Sequence, residues 1–345
     1  MPYPRNGWYC AAFATEVGEK PFVRKILDIP ILLARDESGR VRAMHDRCPH
    51  RFAPLHQGKR IGDVIECPYH GLQFNMGGEC VFNPHGSGRI PAAARLPTYK
   101  TVERDGVVWL WPGDQALADA DQVPDLLLIT QDDVEPLRGH LQMPVDHRLV
   151  LDNLLDLSHA AYLHAGTLSP GRARREINTE LGDRSIMVKA RVCDVPPPSS
   201  LALYCPDAPG DFQSQIEWRF PGTMRHGLSM TAAGADFEAG IRTRNAHLIT
   251  PESEASTHYF WIHTREAKGG DPEVDAATRN IIQNAFMNED EPMIRACQDY
   301  MVGQDFFALK PLYLDTDAAG TRCRRIMERI IEEEQAGRTL AESSS

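Results

Sequence analysis

Long apolar runs are missing from this sequence. The longest, Ile29-Pro30-Ile31-Leu32-Leu33-Ala34 and Leu126-Leu127-Leu128-Ile129, fall far short of the ~18 residues that a membrane span needs. A surplus of positive charge is missing too: 37 Lys and Arg stand against 48 Asp and Glu, for a net charge of −11. That balance excludes the basic face of a nucleic-acid binder. Met1 to Cys10 shows no basic stretch followed by an apolar core, so no secretory leader is expected and the compartment reads as cytoplasmic. No internal repeat is present. The eight cysteines are scattered, and in a reducing compartment they are free thiols or metal ligands rather than a disulfide framework.

What is there divides in two. At 345 residues the chain is long enough for two domains. Residues 1–115 read as short strands punctuated by Gly and Pro, with strands at 31–35, 41–45 and 107–111. Residues 114–136 look like a connector. At 150–165 the apolar positions Val150, Leu151, Leu154, Leu155 and Leu157 take helical spacing. Strand patterns return from 180 to 265. Helices are expected at 275–300 and 323–335, and residues 336–345 form a polar tail. The class expected is α+β: an all-β domain at 1–115, a mixed domain of antiparallel sheet and helices at 116–335, then the tail.

Two loops carry chemistry. Cys48-Pro49-His50 is followed, after sixteen residues, by Cys67-Pro68-Tyr69-His70. Zinc sites of the two-Cys, two-His kind place the cysteines together and the histidines together. Here each loop supplies one of each, which suits a [2Fe–2S] cluster with Cys on one iron and His on the other. The pattern resembles the Rieske signature. Respiratory Rieske proteins carry an additional bridged cysteine in each loop and a serine near the sulfurs. This chain has Ala53, Tyr69 and Leu72 there, which implies a cluster at the low end of the Rieske potential range. Between Arg40 and Arg60, six basic residues (Arg40, Arg42, Arg47, Arg51, Lys59, Arg60) face one acid, Asp46, a docking face for an acidic electron donor.

A cluster moves electrons and leaves some 230 residues without a purpose. Within residues 150–164, Asn153, Asp156 and His159 share one helical side, whereas His164 is five residues beyond His159. On an ideal helix that is roughly 140° out of line, so both rings reach one ion only if the helix ends or bulges between them. The stretch resembles the N-x2-D-x2-H-x4-H motif of Rieske non-heme iron oxygenases. That resemblance implies that His159 and His164 bind mononuclear iron, and that Asp156 links His159 to the cluster-ligating His70 of a neighbouring subunit. It also implies a third, carboxylate ligand on a late helix bearing Phe286, Glu289, Asp290 and Gln298. Asp290 is the choice, with Glu289 and Glu291 as alternatives, and Pro292 departs from the expected pattern.

Arg5-Asn6-Gly7-Trp8-Tyr9, His50-Arg51-Phe52-Ala53-Pro54-Leu55, Trp109-Leu110-Trp111-Pro112-Gly113-Asp114 and Thr250-Pro251-Glu252-Ser253-Glu254 resemble the vanillate and dicamba O-demethylase and toluenesulfonate methyl-monooxygenase group. The resemblance implies a helix-grip catalytic domain, a homotrimer and a flavin/iron–sulfur reductase or ferredoxin as electron donor. The substrate implied is a small aromatic, an aromatic acid in most of the group, whose methyl or ring is hydroxylated; an aryl methyl ether would fall to a phenol and formaldehyde. His247 resembles a substrate-contacting histidine of the demethylases, His226 and Trp261 are further pocket candidates, and Arg225 and Arg242 are candidates for a carboxylate. Ring dihydroxylation, an electron carrier with a non-catalytic binding domain and a zinc-stapled structural protein are the competing readings.

Overall fold

The computed structural model describes residues 3–130, 135–165, 167–266 and 269–343. Its chain forms two compact units, one of residues 3–125 with 250–253, the other of residues 126–249 with 254–345.

The first unit holds two antiparallel sheets. Six strands run in the order Tyr9–Phe13, Val107–Trp111, Thr98–Arg104, Val41–His45, Ile29–Arg35 and Phe22–Ile26. Four short strands, Lys59–Ile61, Val64–Glu66, Gln73–Asn75 and Cys80–Phe82, make the second sheet. Leu32, Met44, Leu55, Ile65 and Phe74 form a core beneath them that also buries Cys48 and Cys67. Part of the expected connector belongs to this unit: the Trp8 indole donates to Asp119 O (2.8 Å) and Arg104 Nη1 to Val123 O (2.9 Å). The rest includes residues 131–134, which lie outside the described residues.

The second unit is built on a seven-stranded sheet, ordered Leu137–Met143, Ser256–Arg265, Ile241–Ser253, Thr223–Thr231, Gly210–Arg219, Ser185–Val195 and Glu176–Leu181. Strand periodicity decides its two faces. On Ser185–Val195, Ile186, Val188, Ala190 and Val192 are buried while their neighbours Met187, Lys189 and Arg191 are half-exposed. Against this face pack the helices His147–Leu155 and Ala318–Ser343. The first is capped by Asp146, whose Oδ1 accepts from Arg148 N at 2.8 Å, and buries Val150, Leu151, Leu154 and Leu155. The last buries Ala319, Cys323, Ile326, Met327 and Ile330 in the same core. Arg324 of that helix donates to Asp152 Oδ2 (2.7 Å), fixing the two helices together.

Three helical expectations are corrected. The helix expected across 150–165 is two, His147–Leu155 and Ala160–Leu163, because the chain turns at Asp156. The helix at 275–300 is Pro272–Asn284, a π-helical turn Ala285–Asp290, then Glu291–Met301. The last helix runs to Ser343, well past Gln335, since Ala336, Arg338, Leu340, Ala341 and Glu342 carry helix propensity through the stretch read as a tail. Residues 344–345 lie outside the described residues.

Candidate active site

The two Cys/His loops close in the same way. Cys48 N donates to Ala53 O (2.9 Å) and Cys67 N to Leu72 O (2.7 Å); Phe52 N returns to Cys48 O (2.9 Å) and Gly71 N to Cys67 O (3.0 Å). The fifth residue of each turn must be left-handed, Phe52 at φ 62° and Gly71 at φ 71°. Glycine takes that conformation at no steric cost, whereas Phe52 is held in it by the loop. The result buries both sulfurs and leaves His50 exposed and His70 half-exposed, their rings 4.5 Å apart. Burial, with the neighbouring Cys67 thiol adding to it, pushes the Cys48 thiol up to about 11. A pair of buried thiols beside a pair of outward imidazoles fits a cluster with a sulfur-held inner iron and a nitrogen-held outer one.

The second centre follows from the broken helix. At Asp156 the backbone leaves the helix (φ −91°, ψ 89°). Asp156 Oδ1 accepts from Ser158 N (2.8 Å) and Ser158 Oγ (2.5 Å), and the chain re-enters a helix at His159. That short helix ends at Leu163, so His164 swings back and the two imidazoles meet at 5.1 Å. His159 Nδ1 bonds the main-chain oxygen of Asp156, not its carboxylate. His164 Nδ1 donates to Glu289 Oε2 at 2.6 Å. Both acceptors fix the hydrogen on Nδ1, so each Nε2 presents a lone pair.

Those lone pairs converge on Asp290 Oδ1, which lies 3.6 Å from His159 Nε2 and 3.1 Å from His164 Nε2. One ligand atom from each of the three residues lies within 4.8 Å of the others. Asp290 is buried, and Asn153 Nδ2 donates to its Oδ1 at 3.0 Å. Burial pulls His164 down, but Asp290 and Glu289 outweigh it and hold the ring above its usual range. Burial leads in His159 and pulls it below. Acceptor atoms facing one another beside two carboxylates require a positive charge at their centre, which fits a divalent metal and the two-His, one-carboxylate ligand set.

Neighbouring residues supply the orientation. Glu289 is held by Thr167 Oγ1 (2.8 Å) and Asn284 Nδ2 (3.0 Å), so it buttresses His164 and does not join the metal-ligand cluster. Glu291 lies near Arg295 and is likewise outside it. Gln298 caps another element, its Oε1 accepting from Asp146 N at 2.6 Å. Pro292 sits in the first turn of its helix, directly after the π-helical turn.

His159, His164, Asp290 and Asn153 line one cavity together with His226, His247 and Trp261. Its walls are mostly apolar, including Leu157, Ile216, Leu228 and Phe286. A polar row crosses the sheet: Ser214 Oγ to His226 Nε2 (3.0 Å), His226 Nδ1 to His247 Nε2 (3.3 Å), and His247 Nδ1 to Tyr259 OH (2.8 Å). Burial draws His226 down to about 4 and His247 well below its usual value, so both rings are neutral. Trp261 lies across Gly139 of the adjacent strand, where a Cβ would come within 2.3 Å of the indole. Arg225 and Arg242 are not on the cavity wall; they pair with Glu217 and with Glu238 and Glu266. Arg175, Asn245 and His263 do line it and were not among the expected residues; strand alternation from His247 and Trp261 points to the latter two.

Comparison with known proteins agrees with this geometry. Residues 7–100 match the Rieske [2Fe-2S] domain, and residues 143–333 match the vanillate O-demethylase oxygenase C-terminal domain. The chain is 39% identical to the chloroacetanilide N-alkylformylase oxygenase component of Rhizorhabdus wittichii, over 99% of both chains. It is 36% identical to the dicamba O-demethylase oxygenase component of Stenotrophomonas maltophilia, over 97% of this chain and 100% of that one. A crystal structure of dicamba monooxygenase bound to dicamba superposes with a TM-score of 0.87 at 35% identity, covering 97% of this chain and 100% of that one. The chain belongs to the family of vanillate O-demethylase-type Rieske oxygenase components, and is an oxidoreductase of that kind.

Proposed function

We propose that the chain is the terminal oxygenase of a system in which a reductase or ferredoxin supplies electrons and a small aromatic substrate loses an alkyl group, or is hydroxylated, at the expense of O2. The observation that carries this reading is the convergence of His159, His164 and Asp290 on the wall of an apolar cavity. In this reading Cys48, His50, Cys67 and His70 hold the [2Fe–2S] cluster and the three converging residues hold iron. Single-electron delivery at the cluster and dioxygen activation at the iron are the chemistry supplied there.

The residues of the chain do the rest. Leu157, Ile216 and Phe286 exclude water and hold an aromatic ring, while Glu289 and the Asp156 carbonyl keep both imidazoles in the ligating tautomer. Hydroxylation of an O-methyl or N-alkyl carbon then yields a hemiacetal or carbinolamine, whose C–O or C–N bond breaks to leave the protonated heteroatom and an aldehyde. Cluster chemistry is assigned to residues 1–115 and iron chemistry to 116–335, with no functional residue in 336–345. Arg47, Arg51 and Lys59 are the basic residues proposed to meet the donor, since Arg42 and Arg60 are engaged by Asp36 and Asp63. A cytoplasmic trimer is the proposed assembly. Among the described residues no helix is long and apolar enough to cross a membrane.

Asp156 is proposed to connect His159 to His70 of a neighbouring subunit through its second carboxylate oxygen; Oδ1 is already engaged by Ser158. Purified protein should be red-brown, contain acid-labile sulfide and iron, and release formaldehyde from members of a panel of methoxylated and methylated aromatics. Zinc in place of iron–sulfur would overturn the proposal. Asp156→Asn should retain both metals and lose most turnover, measured as substrate-dependent O2 uptake.

A further inference from the structure

One part of the cavity is not explained by holding a metal or an apolar ring. His263 is buried at 6% exposure and lines the cavity, yet its Nε2 has no hydrogen-bond partner among the described residues. Its other nitrogen is pinned. Asn245 Nδ2 donates to the main-chain oxygen of His226 (3.2 Å), which turns Asn245 Oδ1 toward His263 Nδ1 at 2.7 Å. That oxygen accepts only, so the hydrogen sits on Nδ1 and Nε2 is an acceptor. Buried polar atoms are satisfied in folded proteins, so a lone acceptor beside a cavity marks the place for a donor carried by whatever fills it.

The rest of the lining argues against a carboxylate there. Both nitrogens of His226 and both of His247 are taken up in the row from Ser214 to Tyr259. Arg175, the cation on the wall, already donates to Leu157 O (2.9 Å) and Ser169 Oγ (3.0 Å) and faces Asp156. Thr278 Oγ1 and Ser200 Oγ, which also line the cavity, are buried without partners among the described residues. These hydroxyls can donate or accept, so a neutral polar group satisfies them without an anion. An anion brought against the bare lone pair of His263 would meet repulsion where an N–H or O–H meets a hydrogen bond.

We infer that this cavity selects an uncharged aromatic substrate that presents an N–H or O–H donor to His263 Nε2, and discriminates against the corresponding carboxylate. The inference rests on the oxygenase reading above and names its substrate class. The test uses the iron- and cluster-loaded protein and three probes sharing one ring: 3-methoxybenzamide, its N,N-dimethylamide and 3-methoxybenzoate. Dissociation constants come from titration calorimetry, and formaldehyde release is followed separately. The primary amide should bind at least ~tenfold more tightly than the other two, the loss of one satisfied buried hydrogen bond. His263→Leu should level the three. Asn245→Leu, which leaves His263 in place but frees its tautomer, should narrow the gap as well. Benzoate binding as tightly as the amide in the wild type overturns the inference, as does an undiminished amide preference in His263→Leu. If that variant fails to fold, the wild-type ranking decides alone. The stated binding order with no formaldehyde from any probe would instead count against dealkylation and leave the inference standing.

Discussion

Replacing Glu289 by Gln isolates the part that orients a ligand. Glu289 accepts from three sides: His164 Nδ1 at 2.6 Å, Thr167 Oγ1 at 2.8 Å and Asn284 Nδ2 at 3.0 Å. Gln is nearly isosteric but has one acceptor end and one donor end. With its oxygen toward Asn284, its NH2 confronts His164 Nδ1–H, and the imidazole relieves the clash by moving its hydrogen to Nε2. That atom then no longer has a lone pair for the metal. With the oxygen toward His164, two NH2 groups meet at Asn284. The first arrangement removes the ligating tautomer and the second releases the acceptor from the Asn284 contact that positions it; loss of such a partner costs about 10- to 100-fold in metal affinity, or about 1.4–2.8 kcal/mol. Ferrous ion affinity, measured by competition with a chromophoric chelator, should fall by that factor. The cluster absorption, which reports the proposed ligands Cys48, His50, Cys67 and His70, should not change. Unaltered iron affinity in both Glu289→Gln and Glu289→Ala would refute the reasoning.

The pH dependence of stability should show a window set by the cavity histidines. Burial draws His226 to about 4 and His263 to about 3, and leaves His247 well below its ordinary value, so all three are neutral when folded. The unfolded chain takes up protons at them near pH 6.5, so stability is full above that pH and declines as pH falls toward the folded values, by about 1.4 kcal/mol per unit for each group. Near pH 5.5 the three together amount to about 4 kcal/mol, visible as a lower Tm than at pH 7.5; a flat Tm would contradict it, and His226→Leu should reduce the slope. Gly71→Ala should lower cluster content, because it forces a side chain into φ 71° with its Cβ 3.3 Å from Pro84. Iron and sulfide analysis reads it, against Gly39→Ala, an equally left-handed position with open space around it, as the control. Gly139→Ala drives a methyl into the Trp261 ring and should lower Tm and weaken aromatic ligand binding together, the usual cost of overpacking being about 1–3 kcal/mol.

Local spacing made the two loops proposed to hold the cluster legible. Cys48, His50, Cys67 and His70 sit in two short loops, and a short loop fixes its own geometry. His159 and His164 were legible as a pair, including the need for the helix to end between them, since a fixed angle per residue makes misalignment countable. The hydrogen bond that breaks the helix was not, because an Asp–Ser turn competes with continued helix on near-equal terms. Asp290 was chosen from three adjacent acids, and its separation from Glu289 depends on the π turn, which has no periodic signature. Arg225 and Arg242 fail as cavity residues for a countable reason: each alternates with an inward residue, His226 and Thr243, and so points to the other face of the sheet. His263 escaped because its meaning lies in one unpartnered atom, visible only when Asn245 is beside it.

The π turn at Ala285–Asp290 makes the iron site a matter of counting as much as of chemistry. A π turn amounts to one residue too many for the helix that carries it. Deleting one exposed residue there, such as Met287, would close the wide turn into a regular one, leaving the helices on either side in line but shifting the residues of the turn itself. Asp290, the last residue of the turn, would lose the place that the wider turn gives it beside both imidazoles, although every proposed ligand remained in the chain. A relative could thus retain the whole set of ligand residues and bind no iron, and the length of this segment would tell the two apart where residue identity does not.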